Sequence, residues 1–362
     1  MRRTSQLVVV AGMSLALAAG CGSRTDTEED DTGSNGETGE TGDNGDKCVE
    51  PGDMTIGMAY DVGGRGDQSF NDSAAAGMDQ AACEFGFNTE EGEAADGEPE
   101  SAREERLRTF ADAEIDPIIA VGFAYAPSVA KVAEEYPDSN FVLIDSADAT
   151  GDNITNVLFA EEQGSFLVGA AAAMKSETDQ IGFVGGVNVP LINKFEAGYV
   201  AGAEAVNPEI EVDVQYLTEP PDFSGFGDPA KGQTAAQGVF DGGADIVYQA
   251  AGGSGAGVFE AAAASDGMAI GVDSDQYVTA DPSVQDVILT SMLKRIDIAV
   301  YDYLSEVDAG EIPTGEQVYD LSVDGVGYST SGGFVDDITD DLDDYKQQII
   351  DGEIEVPTEP AS

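Results

Sequence analysis

Thr55-Ile56-Gly57-Met58-Ala59-Tyr60-Asp61-Val62-Gly63-Gly64-Arg65-Gly66-Asp67-Gln68-Ser69-Phe70-Asn71 runs from an apolar stretch through a glycine-rich turn into a helical pattern. The stretch Thr55–Ala59 reads as a buried strand, and Asp72–Phe85 reads as the helix that follows. The same unit recurs outward along the chain. Pro117–Val121 and Phe141–Ile144 read as further strands, with helices over Glu100–Ala113 and Pro127–Glu135. A second set has strands at Gln180–Val184, Glu211–Tyr216, Asp245–Gln249 and Met268–Val272. Its helices fall near Glu162–Met174, Leu191–Val206, Pro229–Phe240 and Gly257–Ser265. Strands that are mostly apolar and alternate with helices indicate parallel sheets covered on both faces. The expected fold class is therefore α/β, with two doubly wound parallel-sheet lobes around a ligand cleft. Ligands of such sheets are met at the carboxyl ends of the strands.

Composition narrows the function. The 362 residues include 71 acidic and 15 basic side chains, a net charge of −56. Phosphate backbones are gripped by clustered Lys and Arg, so nucleic acid is excluded as a partner class. Docking on anionic lipid through a basic patch is disfavoured for the same reason. The absence of His removes His-dependent triads and His metal sites, and three cysteines are too few for a zinc module or a disulfide scaffold. The excess charge is spread along the whole chain, so self-repulsion weakens the compact state unless salt screens it. Either the protein is adapted to high salt or it is merely acidic.

Met1-Arg2-Arg3 precedes an apolar run from Leu7 to Ala19, too short to span a bilayer but suited to a signal peptide. Leu17-Ala18-Ala19-Gly20-Cys21 resembles a bacterial lipobox, with Ala18 where Leu is usual, and Cys21 is the expected lipidation site. The alternative is ordinary cleavage near Ala19. The Arg2-Arg3 pair lacks the continuation that twin-arginine export needs. Residues 22–47, almost devoid of apolar side chains, are expected to form a disordered, charge-extended tether. The expected organisation is a signal peptide at 1–20 and a tether at 21–52. The first lobe then takes 53–157 plus about 294–312, the second takes 158–293 plus about 313–355, and a tail covers 356–362. Cys48 and Cys83 remain as either a disulfide, closing a loop of about 35 residues, or two free thiols.

Several segments in order carry a resemblance. They are Ala59–Asn71, Gly122-Phe123-Ala124-Tyr125-Ala126, Tyr136-Pro137-Asp138 and Leu143-Ile144-Asp145. Next come Glu161–Leu167, Gly182-Phe183-Val184-Gly185-Gly186, Leu191–Gly198 and Val206-Asn207-Pro208. Phe240–Asp245, Gln249–Gly253, Gly271–Gln276 and Ser291–Arg295 complete the set. Together they resemble the basic membrane protein (PnrA-like) family, the nucleoside-binding lipoproteins of ABC importers, over about 54–330. The resemblance implies a type I periplasmic-binding-protein fold whose lobes are joined by crossing segments. One hinge is expected near Asn156–Gly164, a second near Lys294, and a third after the helix Ile296–Val307.

A nucleoside offers a flat π base and ribose hydroxyls, and carries no charge. Its site therefore needs aromatic faces and acceptor carboxylates. The resemblance assigns base stacking to Phe70 and Phe195, although packing in the core is the alternative for each. Asp61 and Asp145 follow strands of the first set and Asp273 ends one of the second, where ionised carboxylates accept strong hydrogen bonds. By resemblance Asp61, Asn71 and Asp145 reach the base and Asp273 the ribose. Lys294, one of seven lysines, either donates to the ribose or makes a structural ion pair. Gly252 and Gly253 lie at a turn where backbone N–H groups can approach a ligand, without the Gly-Lys-Ser/Thr ending of a phosphate loop. Arg65-Gly66-Asp67 falls inside the family's ligand loop and needs no integrin-like explanation. The sequons at Asn71 and Asn153 are short chance patterns, and Glu161-Glu162 reads as a helix start near the hinge.

The expected function is a lipid-anchored, monomeric substrate-binding protein of an ABC importer. It takes nucleosides, purines favoured, and presents them to permease subunits on the outer side of the cell membrane. No catalysis, cofactor or metal is expected. The alternative is a sensory or surface lipoprotein of the same fold that binds another small ligand, such as a sugar.

Overall fold

The computed structural model describes residues 48–361. The expected signal peptide, the Cys21 lipidation site and nearly all of the tether lie outside the described residues. The chain begins with β1 (Thr55–Tyr60), α1 (Phe70–Phe85), β2 (Asn88–Glu93), α2 (Glu100–Asp112) and β3 (Ile118–Ala120). It continues with α3 (Ala126–Glu135), β4 (Phe141–Ile144) and β5 (Ile154–Phe159). The second set comprises α4 (Glu161–Lys175), β6 (Gln180–Val187), α5 (Pro190–Val206), β7 (Glu211–Thr218) and α6 (Pro229–Asp241). Then follow β8 (Ile246–Ala250), α7 (Gly255–Ala264), β9 (Met268–Asp273), α8 (Gln276–Thr279) and β10 (Ile288–Lys294). The chain closes with α9 (Ile296–Asp308), β11 (Gly315–Tyr319), β12 (Val326–Tyr328) and α10 (Thr339–Ile350).

Two six-stranded sheets result, ordered β11-β5-β4-β3-β1-β2 and β12-β10-β9-β8-β6-β7. The orders correspond strand for strand, so each lobe is doubly wound and has its switch point beside its first strand. The first sheet is parallel throughout, and in the second only β12 runs antiparallel, against β10. Central strands such as β4 and β8 are buried at every position, the signature of sheets covered on both faces. Helices α4 and α5 approach so closely that a Cβ at Gly202 would lie 1.9 Å from the Phe166 carbonyl oxygen, so glycine is required there.

The lobes are joined where β5 leads into α4, where β10 leads into α9, and between β11 and β12. The crossings lie side by side: Ala160 N–H donates to the Tyr319 carbonyl, and Arg295 N–H to that of Gly325. Residues 313–355 do not all join the second lobe as the sequence reading has it. Strand β11 pairs in register with β5 in the first sheet, so the third crossing falls at 320–325. Cys48 and Cys83 are joined by a disulfide that fixes the start of the described chain to α1.

Candidate ligand cleft

A cavity lies between the lobes at the carboxyl ends of their strands. Asp61, Phe70, Asn71 and Asp145 line it from the first lobe, Phe195, Gly252 and Asp273 from the second, and Lys294 from the hinge. Gly253 sits beside Gly252 in the same turn without lining the cavity. Phe70 heads α1, directly after the turn, while Phe195 lies one turn into α5 and is buried.

Lys294 is the last residue of β10 and its side chain is 1% exposed. Its Nζ lies 2.6 Å from Asp145 Oδ2 and 3.1 Å from Glu161 Oε1. The other Glu161 oxygen accepts from Lys194 at 3.1 Å. The same ammonium lies 5.2 Å from the centre of the Phe70 ring, 5.0 Å from Phe159 and 5.6 Å from Phe195, within cation–π range of all three. Burial alone would lower its pKa, but Asp145, Glu161 and Asp273 outweigh that and hold it well above the usual lysine range. Lys294 makes the ion pair and also lines the cavity.

Asp145 and Asp273 are equivalent residues of the two lobes. They follow or end β4 and β9, and both adopt positive φ, 69° and 63°. That region is uncommon for non-glycine residues. Burial pushes the Asp273 carboxyl up to about 7 against the opposing pull of Lys294 and Ser69. Ser69 Oγ, from the first lobe, donates to Asp273 Oδ2 at 2.6 Å. Burial likewise pushes Asp145 up to about 6, against the pull of Lys294. Its Oδ1 is buried without a hydrogen-bond partner, an acceptor left over in the lining of the cavity.

Asp61 and Asn71 form a separate polar cluster. Asn71 Oδ1 accepts from the Asp61 backbone N–H at 3.1 Å, and its Nδ2 donates to Asp67 Oδ2 at 3.0 Å. Asp61 Oδ1 accepts from Val62 N–H at 2.8 Å, with Arg103 Nη2 at 3.6 Å. Burial raises the Asp61 carboxyl despite these contacts. Gly122, at φ 106°, leaves room for it, since a Cβ there would lie 2.6 Å from Asp61 Oδ2. Asp145 lies at the hinge end, in its ion pair with Lys294, and Asp61 lies with Asn71.

Several lining residues escaped the sequence reading. Asp67 accepts backbone N–H groups from Ser69, Asn71 and Asp72, fixing the start of α1. With Arg65 bound to Asp79 and Glu91, the Arg-Gly-Asp tripeptide is committed to internal contacts. Phe123, just after β3, meets Phe226 and Phe223 of the second lobe edge-on at 6.5 and 5.8 Å. Its signal was its position: it stands two residues after an apolar strand run, where Asp61 and Asp145 also stand near strand ends. Glu161 gave no signal beyond an acidic helix start, yet it is buried against two lysines.

Residues 54–360 match the family described as ABC transporter substrate-binding protein, PnrA-like (Bmp). The CD4+ T-cell-stimulating antigen of Listeria monocytogenes is 35% identical over 328 residues, covering 85% of this chain and 89% of that protein. The ABC transporter nucleoside-binding protein BmpA of Lactococcus lactis is 33% identical over 323 residues, covering 84% and 90%. A solved solute-binding protein of an ABC transporter system from Aeropyrum pernix K1 superposes with a TM-score of 0.73 at 28% identity, covering 84% of this chain and 94% of that one. Among the described residues no helix is long and apolar enough to cross a membrane, and a relative from Pyrococcus abyssi, 32% identical over 286 residues, is named a lipoprotein. With its two parallel-sheet lobes of the type I periplasmic-binding fold, the chain belongs to the PnrA-like (Bmp) family of ABC transporter substrate-binding proteins.

Proposed function

We propose that this chain binds a nucleoside between its lobes and, anchored to the membrane through lipidated Cys21, delivers it to the permease subunits of an ABC importer outside the cytoplasm. The observation that carries the reading is the disposition of Phe70 and Phe195. The rings come from opposite lobes and flank one ammonium, at 5.2 and 5.6 Å. A base entering from the cleft meets an aromatic face from each lobe, and base–aromatic stacking is worth roughly 1–3 kcal/mol per base. A purine presents more π surface than a pyrimidine and is the favoured base. At the hinge end, Asp145, Asp273 and Lys294 offer two acceptors and a donor to ribose hydroxyls. At the other end, Asp61 and Asn71 meet the polar edge of the base. Closure is favoured because only the closed form places both rings on one base.

Calorimetric titration of the soluble domain in high salt with adenosine, guanosine, inosine, uridine and cytidine tests this. One saturable site, tighter for purines, is the expected result. A well-folded protein that binds none of the five while binding a sugar would replace this reading with the alternative one.

A further inference from the structure

We infer that Gln276, a residue that does not line the cavity, is the latch that holds the lobes closed and sets how long a ligand stays bound. The inference rests on the reading of this cleft as one that closes on its ligand. Gln276 opens α8, three residues after Asp273, and is 2% exposed. Its Oε1 accepts from Gln249 Nε2 at 2.7 Å and from Val272 N–H at 2.9 Å. Its Nε2 donates across the cleft to the backbone carbonyl of Gln68 at 3.0 Å. Gln249 Oε1 in turn accepts from Ala251 N–H at 3.0 Å. A chain of amide hydrogen bonds thus starts beside Gly252 in the second lobe. It ends beside Ser69, Phe70 and Asn71 in the first, so both ends abut the cavity lining.

The geometry distinguishes this chain from ordinary packing. Both glutamine amides are oriented by partners within the second lobe, and Gln276 Nε2 donates to the first lobe. Buried amides polarise one another along such a chain. A second bond runs parallel to it: Ser274 Oγ donates to the Ser69 carbonyl at 3.1 Å. Opening the cleft breaks both bonds, along with the bond from Ser69 Oγ to Asp273 Oδ2, while the contacts within each lobe persist. The two bonds therefore belong to the closed state alone and slow its opening.

Two substitutions separate the latch from the internal role of the same residue. Gln276→Glu keeps the acceptor facing Gln249 and Val272 but replaces the donor facing Gln68 with an oxygen. Ser274→Ala removes the parallel bond without adding charge. The measurements are stopped-flow association and dissociation of adenosine, small-angle scattering of the unliganded protein, and thermal melting, with the parent protein in parallel. The expected result is dissociation faster by roughly three- to tenfold in each variant, the scale of one hydrogen bond. Association should change little, and the variants should have a larger radius of gyration and a folded melting profile. Parent-like dissociation and scattering in a folded Gln276→Glu protein would overturn the latch. If the parent itself binds no adenosine, the nucleoside reading fails separately, and scattering alone decides the latch: a larger unliganded radius supports it and an unchanged one removes it.

Discussion

Lys294 Nζ stands 2.6 Å from Asp145 Oδ2 although the two residues belong to different sheets, one ending β10 and the other following β4. The pair spans the second crossing, and Glu161 at the first crossing completes it at 3.1 Å. The hinge therefore contains a buried cation held by carboxylates from both sides, and that cation forms one wall of the cleft. Bending of the hinge and the chemistry of the site share these atoms.

Removing the cation alone leaves Asp145 and Glu161 buried without it. Lys294→Met should cost about 3–5 kcal/mol of stability, the usual penalty for breaking one side of a buried pair, read by denaturant unfolding. It should also abolish measurable adenosine binding. A variant that unfolds like the parent would show that the carboxylates are solvated and that the hinge pair carries little energy.

The two phenylalanines should matter for binding more than for folding. Phe70→Leu and Phe195→Leu keep an apolar side chain in place but remove the π face, so each should weaken adenosine binding by roughly five- to a hundredfold. The melting temperature should move little for Phe70, which is half-buried, and more for Phe195, which is 3% exposed. Unchanged calorimetric affinity in both variants would mean that the rings pack the cleft walls and do not stack on ligand.

Much of this fold was legible because its central strands are apolar on both faces. Phe141–Ile144 stands where its run of four apolar residues puts it, and α5 begins one residue before its expected start at Leu191. The polar edge strand β2, Asn88–Glu93, was not legible: its residues are mostly exposed, and it is a strand only because β1 supplies hydrogen bonds. Strand β11 was missed for a related reason, since its place in the first sheet depends on pairing with β5 across more than 150 residues of sequence. In the cleft, residues at strand ends, such as Asp61 and Asp273, could be read from position. The partners of Lys294 could not, because an ion pair between Lys294 and Asp145, 149 residues apart, leaves no local pattern.

Asp273 should make adenosine binding pH-dependent. Burial raises its folded-state carboxyl to about 7 from an ordinary 3.8, so between those values the folded protein holds a proton that the unfolded chain has released. The stability contributed by that proton grows as pH falls below about 7 and is lost as pH rises through it. Asp273→Asn should therefore be more stable than the parent above about pH 7, with the gap closing as pH falls from about 7 towards 3.8. A ribose hydroxyl donating to the ionised carboxylate lowers its pKa, so adenosine binding near pH 6.5, ~half a unit below that value, should release protons. Calorimetry in buffers of different ionisation enthalpy reads that release, and the Asn variant should lack it. Identical apparent enthalpies in all buffers would show that Asp273 does not meet the ligand.

The charge on this chain sets the last expectation. With 71 acidic against 15 basic side chains, most carboxylates have no cation, and stretches such as Asp340, Asp341, Asp343 and Asp344 at the start of α10 crowd like charges on one short helix. At low ionic strength these repel across the compact state more than in the extended chain, so folding is penalised. Screening shortens the range of that repulsion to about 3 Å at 1 M salt. The melting temperature should therefore climb steeply between about 0.05 and about 1 M KCl and level off beyond it. An uncharged osmolyte of equal osmolality should not reproduce the steep part of the rise, which separates screening from general exclusion from the surface. A melting temperature that stays flat across the series would mean that the acidic surface is already paired or hydrated without salt, and that adaptation to high salt is not what the −56 charge reflects.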